Sequence, residues 1–153
     1  MSIISKNFFD QTEKPGENFS NDEINIICNR YKIASDLSFN KKVLEIGFGT
    51  GLGINTISNI SKEYFGIEFS DENYRFCKKK YPNKNLKKGD AHNLPYADKS
   101  FDIIIALAIV YYLDFDKFIK EVRRVLKVGG KIFFCSTNKD FVGFNPSPYT
   151  TKY

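Results

Sequence analysis

Val43-Leu44-Glu45-Ile46-Gly47-Phe48-Gly49-Thr50-Gly51 is a short apolar strand pattern, carrying one acid, that runs into three glycines at every second position. Glycine has no Cβ, so a backbone built this way can approach a ligand where any other residue would collide. A helix starting just beyond, at about Leu52, would turn its free N–H groups and positive dipole end into the same crevice, outside the carboxyl edge of a parallel sheet. The stretch therefore predicts a pocket for a nucleoside cofactor. The dinucleotide fingerprint G-x-G-x-x-G fits in neither frame, because its third glycine would fall on Leu52 or Ile54.

A chain of 153 residues is the size of one domain and can bury a real core. Its apolar share of 42% and charged share of 27% describe an ordinary soluble globule. The net charge of +5 comes from lysines that are scattered apart from Lys78-Lys79-Lys80 and Lys87-Lys88, so no nucleic-acid partner is expected. Cys28, Cys77 and Cys135 are far apart and form no C-x-x-C pair, which implies neither a disulfide framework nor a metal site. With no long apolar run at the N-terminus and none of membrane-spanning length, about 18 residues, no membrane association is expected and a cytoplasmic location is.

Residues 1–19 read as an irregular arm, 20–137 as the folded domain and 138–153 as an irregular tail. Ser20-Asn21-Asp22-Glu23 has capping-box spacing, and Ile24, Ile27, Cys28 and Tyr31 recur on one helical face. After the glycine loop, Leu52, Ile57 and Ile60 suggest a short helix, and Tyr64 to Phe69 a strand. Ser70 is placed to cap a helix that Pro82 stops. Leu86 to Gly89 is a weak strand pattern, whereas Phe101 to Leu107 is a β-branched run of the kind buried on both faces. Phe115, Phe118, Ile119, Val122, Val125 and Leu126 mark an amphipathic helix, broken by Gly129-Gly130 before a strand from Lys131 to Ser136. Alternation of strand and helix predicts an α/β fold with a parallel sheet covered on both sides.

Two further acids stand at strand ends. Glu68 closes the second strand, where one carboxylate can accept hydrogen bonds from both hydroxyls of a ribose. Asp90 follows the third, where it can accept from an adenine amino group. The acid-x-G-x-G-x-G opening is followed in order by G-D-A-x-x-L-P (Gly89 to Pro95), S-F-D (Ser100 to Asp102) and E-x-x-R-V-L-K-x-G-G (Glu121 to Gly130). Over residues 41–136 this series resembles the class I S-adenosylmethionine-dependent methyltransferases, in their small-molecule, type 11-like branch.

The resemblance implies a Rossmann-like three-layer sandwich with strand order 3-2-1-4-5, and S-adenosyl-L-methionine as cofactor. It assigns Glu45, Gly47, Gly49, Gly51 and Leu107 to the methionine portion, Glu68 to the ribose, and Asp90 with Ala91 to the adenine edge. Tyr111 and Tyr112 stand where many relatives carry Glu-His, so they are the candidate catalytic residues, and no other general base is assigned. His92 is expected at the cofactor rim, Asp102 in a structural role, and Glu121 with Arg124 as an exposed helical pair. A sulfonium donor needs little more than alignment and dryness, so methyl transfer to a small-molecule acceptor by proximity and orientation is the expected activity. Two alternatives are a non-catalytic cofactor-binding or interaction subunit and a nicotinamide-dependent oxidoreductase. The family's sheet continues with an antiparallel hairpin for which this chain has no sequence, so truncation is expected, with an exposed fifth-strand edge available to a homodimer or another partner.

Overall fold

The structure is a computed structural model that describes residues 21–136. Ser20, the arm and the tail lie outside the described residues. The elements in chain order are α1 (Asn21–Ser38), β1 (Lys42–Ile46), α2 (Ile54–Ser58), β2 (Glu63–Glu68), α3 (Asp71–Lys80), β3 (Asn85–Lys88), β4 (Phe101–Leu107), a single 3₁₀ turn (Val110–Tyr112), α4 (Phe115–Val125) and β5 (Leu126–Cys135). All four strand pairings are parallel and the order is β3-β2-β1-β4-β5, as the resemblance implies.

Side chains alternate across a strand, and this two-residue period divides the core into two layers. Leu44, Ile46, Ile67, Ile104 and Ala106 face the side covered by α4 through Phe118, Val122 and Val125. Val43, Tyr64, Ile103, Ile105 and Leu107 face the side covered by α1, α2 and α3 through Ala34, Ile54, Ile57 and Cys77. Each fully buried α4 side chain contributes roughly 1.5–3 kcal/mol, far above the few tenths that helix propensity separates most residues by. Packing, not propensity, holds that helix. Ser70 caps α3 by accepting from the Asn73 N–H at 3.3 Å, and acids in its first turn with lysines in its last suit the helix dipole.

Two elements depart furthest from expectation. The helix after the glycine loop begins at Ile54 and runs only five residues, behind Gly53, with no side-chain cap. Its dipole end is therefore not the feature that shapes the crevice; the loop backbone is. The helix α4 stops at Val125, and Leu126 already pairs with Phe101 in the sheet. The register then slips until Lys131 meets Ile103, with Gly129 at φ +78° inside the irregular stretch. Leu126 suits the helical period and the strand alike, and the bridge to β4 decides it.

Polar clasps hold the end of the sheet away from the glycine loop. Asp102 accepts from the Lys42 N–H at 2.9 Å and from Lys127 Nζ at 2.8 Å, a structural role as expected. The lysine hydrogen bond, chiefly, holds its pKa below the usual carboxylate value. Glu121 and Arg124 are more than an exposed pair. Arg124 donates to the carbonyls of Leu94 (2.8 Å) and Tyr96 (2.7 Å), to Asp98 and to Glu121, while Glu121 accepts from the Leu94 N–H at 2.8 Å. Together they pin the segment between β3 and β4 onto α4. Arg124→Ala leaves those acceptors without their donor and is expected to cost about 2 kcal/mol, read as a lower urea midpoint at unchanged m-value.

Candidate functional site

The glycine loop, the end of β2, the segment after β3 and the segment after β4 meet at the carboxyl edge of the sheet. There they enclose a cleft of about 390 Å³, within the roughly 300–1,000 Å³ common for small-molecule sites. The expected Gly47, Gly49, Glu68, Asp90, Ala91, Leu107, Tyr111 and Tyr112 all line it. Glu45 and Gly51 do not.

Glu45 lies on the same strand face as Val43, so it points beneath α1 instead of toward the carboxyl edge. Its carboxyl accepts hydrogen bonds from the Tyr64 and Tyr31 hydroxyls. Burial pushes its pKa from 4.5 up to about 7, the two tyrosine hydrogen bonds pull it down and the nearby Glu68 adds to the rise. Tyr31 itself lines the cleft, so Glu45 bears on it through that ring. Gly51 faces inward: a Cβ there would sit 2.8 Å from Cys77 Sγ and 3.0 Å from Ile54. Its role is to let the loop pack on α3.

Gly49 is the opposite case. It has φ +54°, and a Cβ on it would meet nothing within 4 Å, so the loop bares its backbone to the cleft at this position. Glu68 ties this loop to β2. One carboxylate oxygen accepts from the Gly49 N–H and the other from the Ser70 N–H, each at 2.8 Å. Burial raises its pKa, against the backbone N–H groups of Ser70, Gly49 and Phe69, which lower it. An ionised carboxylate offers about four lone-pair directions, more than these backbone donors fill, so acceptor capacity remains for a ligand.

Just past β3, Asp90 Oδ1 accepts from the His92 backbone N–H and pairs with His92 Nδ1, both at 2.8 Å. The second ring nitrogen, Nε2, accepts from the Asp114 N–H at 3.0 Å, which ties the segment after β3 to the cap of α4. Among the described residues no hydrogen bond reaches Asp90 Oδ2. Beyond Leu107, Ala108 takes φ +56° and throws Ile109 across Gly47, where a Cβ would lie 2.7 Å from Ile109 Cγ2. A positive φ at a non-glycine residue stores strain, which clusters at binding sites.

Sequence reasoning missed Phe69 and Leu52 as cleft residues, both exposed apolar side chains on its wall. Phe69 directly follows the Glu68 acid, and that adjacency was the available signal. Arg30 and Tyr31, from α1, also line the cleft, and nothing in the local sequence announces that α1 leans over the loop. Among the described residues no group of three His, Cys, Asp or Glu side chains is placed to hold a metal ion. No helix among them is long and apolar enough to cross a membrane.

Comparison with known proteins gives this arrangement its context. Residues 44–134 match the family model described as methyltransferase domain. The chain is 33% identical over 99 residues to a fatty-acid O-methyltransferase of Mycolicibacterium smegmatis, a match covering 61% of this chain and 36% of that one. It is 35% identical over 95 residues to the phthiotriol/phenolphthiotriol dimycocerosates methyltransferase of Mycobacterium tuberculosis, covering 59% and 35%. The chain thus spans about a third of the length of the curated relatives it matches. A crystal structure of a SAM-dependent methyltransferase from Aquifex aeolicus superimposes with a TM-score of 0.67 at 19% identity, over 86% of this chain and 80% of that one, a likeness of fold. With the family model spanning more than half of its residues, the chain belongs to the class I S-adenosylmethionine-dependent methyltransferases, of the type 11 kind.

Proposed function

We propose that this chain binds S-adenosylmethionine in the cleft and transfers its methyl group to a small apolar acceptor. The observation that carries the reading is the convergence of Glu68 and Asp90, from the ends of the neighbouring β2 and β3, beside a bared glycine loop. Glu68 receives the ribose hydroxyls on the acceptor capacity its backbone donors leave, and Asp90 Oδ2 receives the adenine amino group. Phe69, half out of the protein beside them, offers a flat face to the purine. Gly47 and Gly49, with Leu107, border the methionine portion. The open space at Gly49 fits such a group, since any side chain there would enter the volume the ligand needs.

Bound S-adenosylmethionine supplies a methyl group already activated on a positively charged sulfur with a neutral leaving group. The protein's task is to orient the acceptor and keep water out. Ile109 over Gly47, Leu52 and Leu113 give the cleft an apolar wall suited to both. Tyr111 and Tyr112, with ring centroids 4.4 Å apart on the 3₁₀ turn, form the part of the wall where a hydroxyl can meet an acceptor. An apolar, lipid-like acceptor agrees with this wall and with the names of the relatives above.

Calorimetric titration with S-adenosylmethionine and S-adenosylhomocysteine, followed by a methyl-transfer assay on fatty acids and other apolar hydroxyl or carboxyl compounds, tests the reading. Saturable heat at micromolar ligand with turnover on an apolar acceptor is the expected result. Heat without turnover on any acceptor would favour a cofactor-binding subunit, and tighter binding of NAD would point to an oxidoreductase.

A further inference from the structure

We infer that His92 is a positioning residue that holds Asp90 in register for a 6-amino purine, so that His92 sets the base preference of the cleft. The inference rests on the cofactor reading above. A carboxylate alone on a loop can rotate and present either oxygen, or a share of both. Here the rotation is stopped from one side. Oδ1 accepts from the His92 backbone N–H and stands beside the ring Nδ1, each at 2.8 Å. Oδ2 is left as the acceptor toward the ligand, with no hydrogen bond to it among the described residues.

The ring is itself held at its far side. Nε2 accepts from the Asp114 N–H at 3.0 Å, which leaves Nδ1 as the ring nitrogen that bears the proton, 2.8 Å from Asp90 Oδ1. The Asp114 side chain is occupied elsewhere, accepting from the Lys117 N–H at 3.3 Å and pairing with Lys117 Nζ at 2.9 Å. The chain Asp114 N–H to His92 to Asp90 therefore runs in one direction, from the cap of α4 into the cleft. It delivers an acceptor at its end. A 6-amino purine offers a donor to that acceptor, whereas a 6-oxo purine offers a second acceptor and is repelled.

The test compares two ligands that differ only along that purine edge, S-adenosylhomocysteine and its 6-oxo, N1–H counterpart S-inosylhomocysteine, each titrated calorimetrically into the wild-type chain and three variants. A lost or mismatched hydrogen bond to a charged group is worth about 1.5–3 kcal/mol, so the wild type is expected to favour the amino ligand by about 10- to 100-fold. His92→Ala and His92→Gln, which lack a donor at the Nδ1 position, are expected to bring that ratio below about threefold, chiefly by weakening the amino ligand. His92→Asn, which restores a donor there but cannot reach the Asp114 N–H, is expected to recover most of the preference. Equal weakening of both ligands in His92→Ala would show a merely structural role and overturn the inference, as would an unchanged ratio. A wild type that binds neither ligand overturns the cofactor reading itself, and the inference with it.

Discussion

Glu68→Gln is expected to lower the affinity for S-adenosylhomocysteine by about 100-fold while leaving the sheet intact. The carboxylate now serves two backbone donors at once, the Gly49 and Ser70 N–H groups, each at 2.8 Å. A glutamine has one acceptor oxygen and turns an NH₂ group toward one of those donors. Either the glycine loop loses its tie to β2 or the cap residue of α3 loses its partner, and in both cases no charge remains to receive the ribose hydroxyls. Losing one charge-assisted hydrogen bond and misplacing another amounts to about 3 kcal/mol, which is roughly two powers of ten in the dissociation constant. Isothermal titration measures it directly, with far-ultraviolet circular dichroism as the control for folding. Binding within threefold of the wild type would remove Glu68 from sugar recognition.

The second large effect is on stability and comes from Glu45. Its folded-state pKa of about 7 lies above its ordinary value of 4.5, because burial disfavours the charged form. Between those two values the folded chain holds a proton that the unfolded chain releases. Stability contributed by this group is therefore full below about pH 4.5 and declines as pH rises to about 7, beyond which the native state carries a buried charge. The gap corresponds to about 3 kcal/mol, at about 1.4 kcal/mol for each pH unit. Glu45→Gln keeps the shape and an acceptor for Tyr64 but does not titrate. Urea midpoints for the two proteins are expected to lie close together at pH 4.5, to separate up to about pH 7 and to level off by about pH 8, with the variant the more stable. Two curves that stay parallel across that range would mean that the carboxyl is not held neutral by its surroundings.

These two glutamates also show where the sequence is a good guide and where it is not. The strand runs were legible because a β-branched segment such as Phe101 to Leu107 is buried on both faces and has no competing helical period. Glu68 was legible because its place follows from the end of one strand and the spacing from a glycine loop. For Glu45, alternation alone puts it on the Val43 face, but only the packing of α1 over that face makes the face a closed interior. The helix after the glycine loop and the start of β5 were misjudged by two to five residues, since Leu52 and Leu126 satisfy more than one pattern and tertiary pairing chooses. Glu121 and Arg124 announced a local pair by their spacing. Their partners at Leu94 and Tyr96 are 27 to 30 residues distant, and nothing local encodes such a contact.

The clasps of Asp102 with Lys42 and Lys127 lie at the pole of the sheet opposite the cleft. A scaffold fastened at one pole leaves the other free to vary, so lineages carrying this architecture can exchange wall residues and acquire new acceptors without renegotiating how the strands come together. Directed evolution of acceptor choice would accordingly keep Lys42, Asp102 and Lys127 fixed and randomise positions 109–113.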